Sequence, residues 1–235
     1  MPSTKARSQG RRRNPPRPAI DDLLQVMARL RSPTGCPWDQ EQDHMSLRYH
    51  AVEEVYELMD SIEAGDDSEM LEELGDLLLQ VIFHCQMASE RKVFTSEHVA
   101  RNLVDKLIRR HPHVFGTSEA RDVDAVWAQW EKIKRAEKSG TAHERSSSLD
   151  GIPRHLPALL RAEKLAKKAR KAGLIKRAKG AINREAVGRR LFDLAARAQA
   201  AGSSAEELLR AEIERREAVL RRRETLLVDR AKQRG

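Results

Sequence analysis

The sequence predicts an all-α protein on three observations. Aromatic residues make up 4% of the 235 residues and glycines number 12, whereas the helix-favouring residues Ala, Leu, Glu and Arg are abundant. Apolar residues recur at intervals of three and four over most of the chain. No stretch shows the convincing alternation of a β-strand. We therefore expect helices throughout, joined by loops rich in turn-forming residues.

The predicted elements follow in a clear order. Helices are expected over residues 19–31, 95–110, 122–138, 157–172, 184–201 and 204–228, and two acidic helices lie between the first two of these. From Ser139 to Pro157 the periodicity disappears while Gly, Ser, Thr and Pro become frequent, which predicts a linker. This gives a basic arm (1–18), an N-terminal helical domain (19–138), a linker (139–156) and a C-terminal helical segment (157–235).

The two acidic helices each carry an apolar stripe. Ser46 and Ser68 are candidate N-caps, and Gly65-Asp66-Asp67 between the runs is typical of a turn. We expect the helices to fold back antiparallel and to bury their stripes in a core. The stripes consist of Val52, Val55, Leu58, Met59 and Ile62 in the first helix, and of Leu71, Leu74, Leu77, Leu78, Val81, Ile82 and Cys85 in the second.

Unneutralised carboxylates concentrate on these helices. Between Arg48 and Arg91 there is no Lys or Arg, although about a dozen Asp and Glu occupy the interval. Glu54 with Glu57, and Glu73 with Asp76, are spaced i, i+3, so each pair shares a helix face and repels by about 0.2–0.5 kcal/mol even when exposed. On antiparallel helices the two pairs should face each other at the edge of the core. Clustered oxygen ligands of this kind suit Mg²⁺ or Mn²⁺.

A solvated acidic face is the competing interpretation, because acidic helical runs are usually exposed to water. Such a face normally places Lys or Arg four residues away to relieve the repulsion, and neither helix does so. From these residues alone, both a metal site and a solvated face remain open.

Charge is distributed in blocks that sum to the formal net charge of +8. Residues 1–18 carry about +6, residues 19–150 about −11 and residues 151–235 about +13. The first block, with Arg11-Arg12-Arg13 among prolines, predicts a disordered solubilising tail, with nucleic-acid contact as the less favoured alternative. There is no apolar signal sequence or membrane-length run, so we expect a cytoplasmic protein. Two cysteines give no disulfide framework, and Cys85 is expected in the core.

Five separated motifs resemble the MazG family of nucleoside triphosphate pyrophosphohydrolases, in the order that the family has them. They are Gly35-Cys36-Pro37-Trp38-Asp39, Glu53-Glu54-x-x-Glu57, Glu72-Glu73-Leu74-Gly75-Asp76-Leu77-Leu78, Lys106-Leu107-x-Arg109-Arg110-His111-Pro112-His113-Val114-Phe115 and Trp130-Glu131-x-Ile133-Lys134. The resemblance covers residues 20–134 and, more weakly, residues 152–224.

The resemblance implies an all-α MazG-type helical bundle, usually dimeric, that hydrolyses nucleoside triphosphates to the monophosphate and pyrophosphate. It implies Mg²⁺ as the cofactor, held by Glu54, Glu57, Glu73 and Asp76, with a role in nucleotide-pool house-cleaning. Glu53 and Glu72 become candidates for orienting water or a second ion.

The resemblance also implies substrate contacts outside the acidic helices. Lys106 and Arg110 match phosphate-contacting positions, and Trp130 matches a position near the nucleotide. Without the family context, a Lys and an Arg four residues apart would be read as surface charges and a single Trp as a core residue. The Cys36-Pro37-Trp38-Asp39 loop is either structural or part of the site.

The C-terminal segment resembles a second, degenerate copy of the domain. Arg189 stands where the ExxD aspartate would recur, and a helix with the EExxE pattern is absent. We expect this segment to hold no Mg²⁺ and to serve packing, dimerisation or binding of an anionic partner. Two alternatives to the enzyme remain: a non-catalytic nucleotide-sensing protein that kept the fold, and a basic helical interaction protein that binds nucleic acid.

Overall fold

A computed structural model of the protein describes residues 17–119, 122–141, 144–176 and 180–233, with the side chains of residues 135, 231 and 232 excepted. Among these residues there are ten helices and no strand, so the predicted all-α class is confirmed. The helices are α1 (Ala19–Leu30), α2 (Pro37–Glu41), α3 (His50–Ala64), α4 (Asp67–Glu90), α5 (Ser96–Arg110), α6 (Pro112–Phe115), α7 (Val123–Ala136), α8 (Ala158–Lys171), α9 (Arg184–Ala200) and α10 (Ala205–Lys232).

The predicted helices are all present, and two short helices, α2 and α6, lie in the segments predicted as loops. The predicted basic arm lies outside the described residues, except for its last two. No helix that the structure describes is both long enough and apolar enough to cross a membrane.

The chain divides into two units, residues 1–119 and 120–235. This division falls before α7, whereas the sequence places the end of the first domain at residue 138. The functional limits of the first domain therefore stay a prediction.

In the first unit, α3 and α4 form a tight antiparallel hairpin. Gly65 ends α3 in a left-handed conformation with φ of 69°, which glycine adopts without a steric penalty. The Asp66 side chain then caps α4 by accepting hydrogen bonds from the backbone N–H groups of Ser68 and Glu69, at 2.9 and 3.1 Å. The predicted cap Ser68 is thus wrong, because Asp66 precedes it and is an equally good capping residue.

The predicted cap Ser46 is wrong as well. α3 begins at His50, and Tyr49 occupies its N-cap position. Ser46 instead belongs to a turn in which the Asp43 carboxylate accepts from the backbone N–H groups of Met45 and Ser46, both at 2.7 Å. This turn delivers Leu47, 1% exposed, to the core.

The core of the first unit lies on one side of α4. Met27, Leu47, Ile82, Phe83 and Met87 are buried together there, and Leu23, Leu24 and Leu79 pack against them. Cys85 is also buried, as predicted, and both cysteines are free.

The predicted burial of the two apolar stripes is wrong for most of their members. Eight of these side chains are 41–74% exposed: Val52, Val55, Met59, Ile62, Leu71, Leu74, Leu78 and Val81. The hairpin packs through the face that carries the acids, so the stripes turn away from the partner helix. Only Ile82 and Cys85 among the predicted stripe residues are fully buried, and Leu58 and Leu77 are partly buried.

The second unit has its own core between α8 and α10. Leu149, Ala158, Leu165, Ala169, Leu174 and Ile213 are buried in it. Leu149 comes from the segment predicted as a linker, and its neighbours Ser147 and Ser148 bind the Glu224 carboxylate while Asp150 pairs with Arg221 at 2.7 Å. This segment is therefore ordered onto α8 and α10, although its composition is that of a loop.

Candidate active site

Three carboxylates converge in the groove between α3 and α4. One oxygen from each of Glu54, Glu57 and Glu73 can be chosen so that all three lie within 4.8 Å of one another. Glu54 and Glu57 share a face because they are one helical turn apart, and the antiparallel hairpin brings Glu73 opposite them. The sequence-based expectation that the acid pairs face each other is met for these three residues.

Asp76 adjoins this group without belonging to the set of mutually close oxygens. Partial burial, followed by the charges of Asp76 and Glu57, raises the pKa of the Glu54 carboxyl. Loss of solvation, followed by the charges of Glu57, Asp76 and Glu54, likewise raises the pKa of Glu73. The charges of Glu57 and Asp76 thus act on both Glu54 and Glu73, so the four acids lie close enough to interact electrostatically.

The cluster lacks internal compensation. Glu73 Oε2 is buried and has no hydrogen-bond partner among the described residues. Within the same part of the chain, no Lys or Arg forms an ion pair with any of the four carboxylates. An acceptor oxygen without a partner destabilises the folded state, so the site favours a cation.

The donor set fits a hard divalent cation. All available ligand atoms are carboxylate oxygens, and an ion bound octahedrally at about 2.0–2.1 Å needs oxygens roughly 3–4 Å apart. The observed oxygens lie within 4.8 Å of one another, so small side-chain rotations would bring them to this spacing. Thiols and imidazoles, which softer metals prefer, do not take part in the cluster.

Space for a ligand adjoins the cluster. A cleft of about 350 Å³ extends from Glu57 and Glu73 toward the turn between the helices. Its remaining lining is Asp60, Ser61, Ala64, Asp66 and Glu69. Since most of these side chains are acidic, a polyanion would enter this cleft only together with cations.

The other predicted site residues lie in different surroundings. Glu53 and Glu72 are exposed beside the cluster, and Glu53 lies 3.7 Å from the Nδ1 atom of His50. Lys106 and Arg110 are partly buried on α5, which contacts α4 within the same unit. Trp130 belongs to α7 in the second unit, where it stacks on Trp127 with ring centroids 6.0 Å apart. The proximity of Trp130 to the acids thus stays a prediction.

Gln80 is a site residue that the sequence interpretation did not select. It is 8% exposed, and its Nε2 donates to Glu54 Oε1 at 3.5 Å. This hydrogen bond favours the ionised form of Glu54 and partly offsets the effects that raise its pKa. A polar residue inside the apolar run from Leu77 to Ile82 was the signal that could have identified it.

The family assignment rests on two comparisons. The profile of the family described as MazG nucleotide pyrophosphohydrolase domain matches residues 42–115, which include the whole α3–α4 hairpin and α5. A protein of Streptomyces cacaoi, known as the uncharacterized 26.1 kDa protein in the blaB 3' region, is 45% identical over 192 residues, 81% of this chain and 76% of that protein. This chain belongs to the MazG family.

Other relatives align over a smaller share of their own length. The nucleoside triphosphate pyrophosphohydrolase of Escherichia coli K12 is 46% identical over 155 residues, 66% of this chain and 58% of that enzyme. The uncharacterized protein YabN of Bacillus subtilis is 47% identical over 142 residues, 60% of this chain and 28% of that protein. The aligned part of the chain thus spans little more than half of the E. coli enzyme.

The second unit departs from the MazG acid pattern. Arg189, at the position of the expected aspartate, lies 3.6 Å from Glu185 in an exposed i, i+4 ion pair. Among the residues that the structure describes, the only acidic group close enough to hold a metal is the one on α3 and α4. Among the described residues, such a group is therefore found in the first unit.

Proposed function

We propose that the protein is a Mg²⁺-dependent nucleoside triphosphate pyrophosphohydrolase that works from the α3–α4 groove and serves in nucleotide-pool house-cleaning. The observation that carries the proposal is the cluster of Glu54, Glu57 and Glu73, with the partnerless buried oxygen of Glu73 inside it. Membership of a family that includes enzymes named for this activity supports the same reaction.

The reaction transfers the nucleotidyl group of the nucleoside triphosphate to water. The water oxygen bonds to the α-phosphorus, the bond from that phosphorus to the α,β-bridging oxygen breaks, and pyrophosphate leaves with the bonding electrons. The water protons pass to a carboxylate or to solvent, and the nucleoside monophosphate remains. Such chemistry depends mainly on positioning and on electrostatic stabilisation.

The acids of the groove would hold the ion. In this proposal Glu54, Glu57, Glu73 and Asp76 supply the ligands, and Gln80 keeps Glu54 oriented through its amide. When bound, Mg²⁺ supplies Lewis-acid stabilisation of the phosphate oxygens and lowers the pKa of the attacking water. We assign to Glu53 and Glu72, which are both exposed, the orientation of that water or the acceptance of its proton.

Cationic and aromatic side chains complete the proposed binding site. Lys106 and Arg110, one turn apart on α5, would bind the distal phosphates, whose charge the acidic groove itself repels. Trp130 is proposed to lie near the nucleoside. A cytoplasmic location, where nucleotides are abundant, agrees with this role and stays a prediction.

A second copy of the chain is the proposed partner of the exposed apolar stripes. Val52, Val55, Met59 and Ile62 on α3 and Leu71, Leu74, Leu78 and Val81 on α4 are all at least 41% exposed. α5 adds further apolar side chains of 39–46% exposure, namely Val99, Leu103, Val104, Leu107 and Ile108. Apolar surface of this extent marks an interaction site, and the MazG family is usually dimeric, so we propose that two hairpins pack together.

The proposed activity is tested by product analysis. Purified protein is incubated with each NTP and dNTP in the presence of Mg²⁺, and pyrophosphate is separated from orthophosphate. We expect pyrophosphate and monophosphate in equal amounts, loss of at least 100-fold in rate for Glu57→Gln, and near-normal rates for the control Glu63→Gln, an exposed acid of α3 outside the cluster. Binding without turnover would instead support a non-catalytic nucleotide sensor.

A further inference from the structure

Trp38 presents a large exposed aromatic surface from a rigidly held segment. It lies on α2 and is 53% exposed. Aromatic side chains of this size are normally much more buried, because they carry a large apolar area. An indole that stays exposed on a fixed scaffold is typical of a recognition residue.

The backbone beneath Trp38 is fixed by close packing against α1. A Cβ atom on Gly35 would lie 2.0 Å from the Leu30 carbonyl oxygen, so only glycine allows this approach. Cys36 N–H donates to the same oxygen at 2.7 Å. These contacts return the chain sharply from α1 into α2.

Side chains lock the other end of the segment. Arg31, whose side chain is 9% exposed, donates to the carbonyl oxygens of Asp39 and Gln42 and pairs with Glu90 on α4. The Gln42 amide donates to the Trp38 carbonyl oxygen at 3.0 Å. The backbone that carries the indole is therefore held in place by the protein itself.

The indole stands at the end of the acidic groove. Its ring centroid lies 6.4 Å from the His50 ring on α3 and 6.4 Å from the Phe83 ring on α4, with edge-on geometry in both cases. His50 precedes Glu54 by four residues and Phe83 follows Gln80 by three, which corresponds to a rise of about 4.5–6 Å along each helix. Two independent contacts thus place the indole beside residues that lie about one turn beyond the Glu54–Gln80 pair.

The distance of about one helical turn matches the dimensions of a nucleotide. The ribose spans a comparable distance between the α-phosphate and the base, so a substrate whose α-phosphate lies at the acids can place its base against the indole. We propose that Trp38 binds the nucleobase by stacking, an inference that rests on the proposed function. Because every base has a π face, this contact favours nucleotides over other polyphosphates while discriminating weakly among bases.

The test compares substrates with and without a base. KM and kcat are measured for NTPs and for ribose 5-triphosphate, which lacks a base, in the wild type, Trp38→Leu, Trp38→Phe and the control Phe94→Leu, an exposed aromatic beyond the end of α4. Thermal unfolding of each variant monitors the fold.

We expect Trp38→Leu to raise KM for NTPs about 5- to 100-fold, the range of one base–aromatic stack, with kcat changed only a few-fold. KM for the abasic triphosphate should be unchanged in the same variant. Trp38→Phe should recover most of the NTP affinity, and Phe94→Leu should behave as wild type.

Two results would overturn the inference while leaving the proposed function intact. One is an unchanged KM for NTPs in Trp38→Leu; the other is an equal rise in KM for NTPs and for the abasic triphosphate, which would indicate a structural role. Absence of pyrophosphate release by the wild type refutes the proposed function, and the inference with it.

Discussion

Arg31 holds both carboxylate oxygens of Glu90, at 2.9 Å from Nε and 2.8 Å from Nη2, and so joins the end of α1 to the end of α4. The guanidinium also lies 5.4 Å from the centre of the Phe83 ring. Since Arg31 further binds the backbone of the α2 segment, one side chain ties three parts of the first unit together.

Glu90→Gln should lower the free energy of unfolding by about 1–3 kcal/mol, because it leaves the largely buried Arg31 without its counter-ion. Urea unfolding measures the effect. The matched control is Glu97→Gln in the Arg101–Glu97 pair, where both side chains are more than half exposed and the change should stay within about 0.5 kcal/mol.

The Arg31 hydrogen bonds lower the pKa of Glu90, so this stabilisation is present above the ordinary Glu pKa and is lost as the pH falls through the lowered value. Equal losses of unfolding free energy in Glu90→Gln and Glu97→Gln would contradict the role assigned to the Arg31–Glu90 pair.

Stability should also fall between pH 7 and pH 5 because of the His44–His84 pair. The two Nδ1 atoms lie 2.8 Å apart with the rings stacked, and Arg91 lies 2.8 Å from the far nitrogen of His44. Burial, followed by the charge of His44, lowers the pKa of His84. A lowered folded-state pKa means that the unfolded chain binds more protons below the ordinary value of about 6.5, so acidification destabilises the fold.

Melting temperatures across this pH range test the histidine prediction. His84→Gln should flatten the dependence, whereas His155→Gln, an exposed histidine of the second unit, should leave it unchanged. A slope that survives in His84→Gln would show that other groups cause it.

Disruption of the exposed stripes should give monomers. Met59→Lys combined with Leu74→Lys places two charges on the proposed contact surface, where their burial would cost several kcal/mol. Light scattering coupled to size-exclusion chromatography should report a dimer for the wild type and a monomer for this variant. The control Leu159→Lys changes a comparably exposed leucine of α8, 51% exposed, and should remain dimeric. A monomeric wild type would refute the proposed partner.

Mg²⁺ should raise the melting temperature by several degrees. An ion that binds only the folded state stabilises it by about 2.7 kcal/mol at 100 times its dissociation constant. Glu73→Gln should melt higher than the wild type without Mg²⁺, since it removes a charge from a repelling cluster, and should lose most of the response to the ion. Glu63→Gln is again the control. A full response in Glu73→Gln would place the ion elsewhere.

Local signals predicted much of this structure. The predicted helix ends were close to those observed. They depend on apolar spacing, on Gly65 and on loop residues, and each of these signals involves only a few neighbouring positions. The same periodicity also placed Glu54, Glu57 and Glu73 on facing surfaces.

The sequence could not predict the tertiary contacts between distant residues. Periodicity identifies an apolar face but not what covers it, so residues such as Leu71, which is 74% exposed, were predicted to be buried. Asp66 and Ser68 are both good caps, and only the geometry of the turn chooses Asp66. The position of Trp38 depends on its contacts with His50 and Phe83, which lie on other helices, and local sequence signals do not report such contacts.

Isotope labelling tests the central claim, that water attacks the α-phosphorus under control of the α3–α4 acids. NTP is hydrolysed in H₂¹⁸O with Mg²⁺, and the products are analysed by mass spectrometry. We predict one ¹⁸O atom in the monophosphate, none in the pyrophosphate, and no product above background for Glu57→Gln. Label in pyrophosphate or orthophosphate, or undiminished turnover by Glu57→Gln, would contradict the claim.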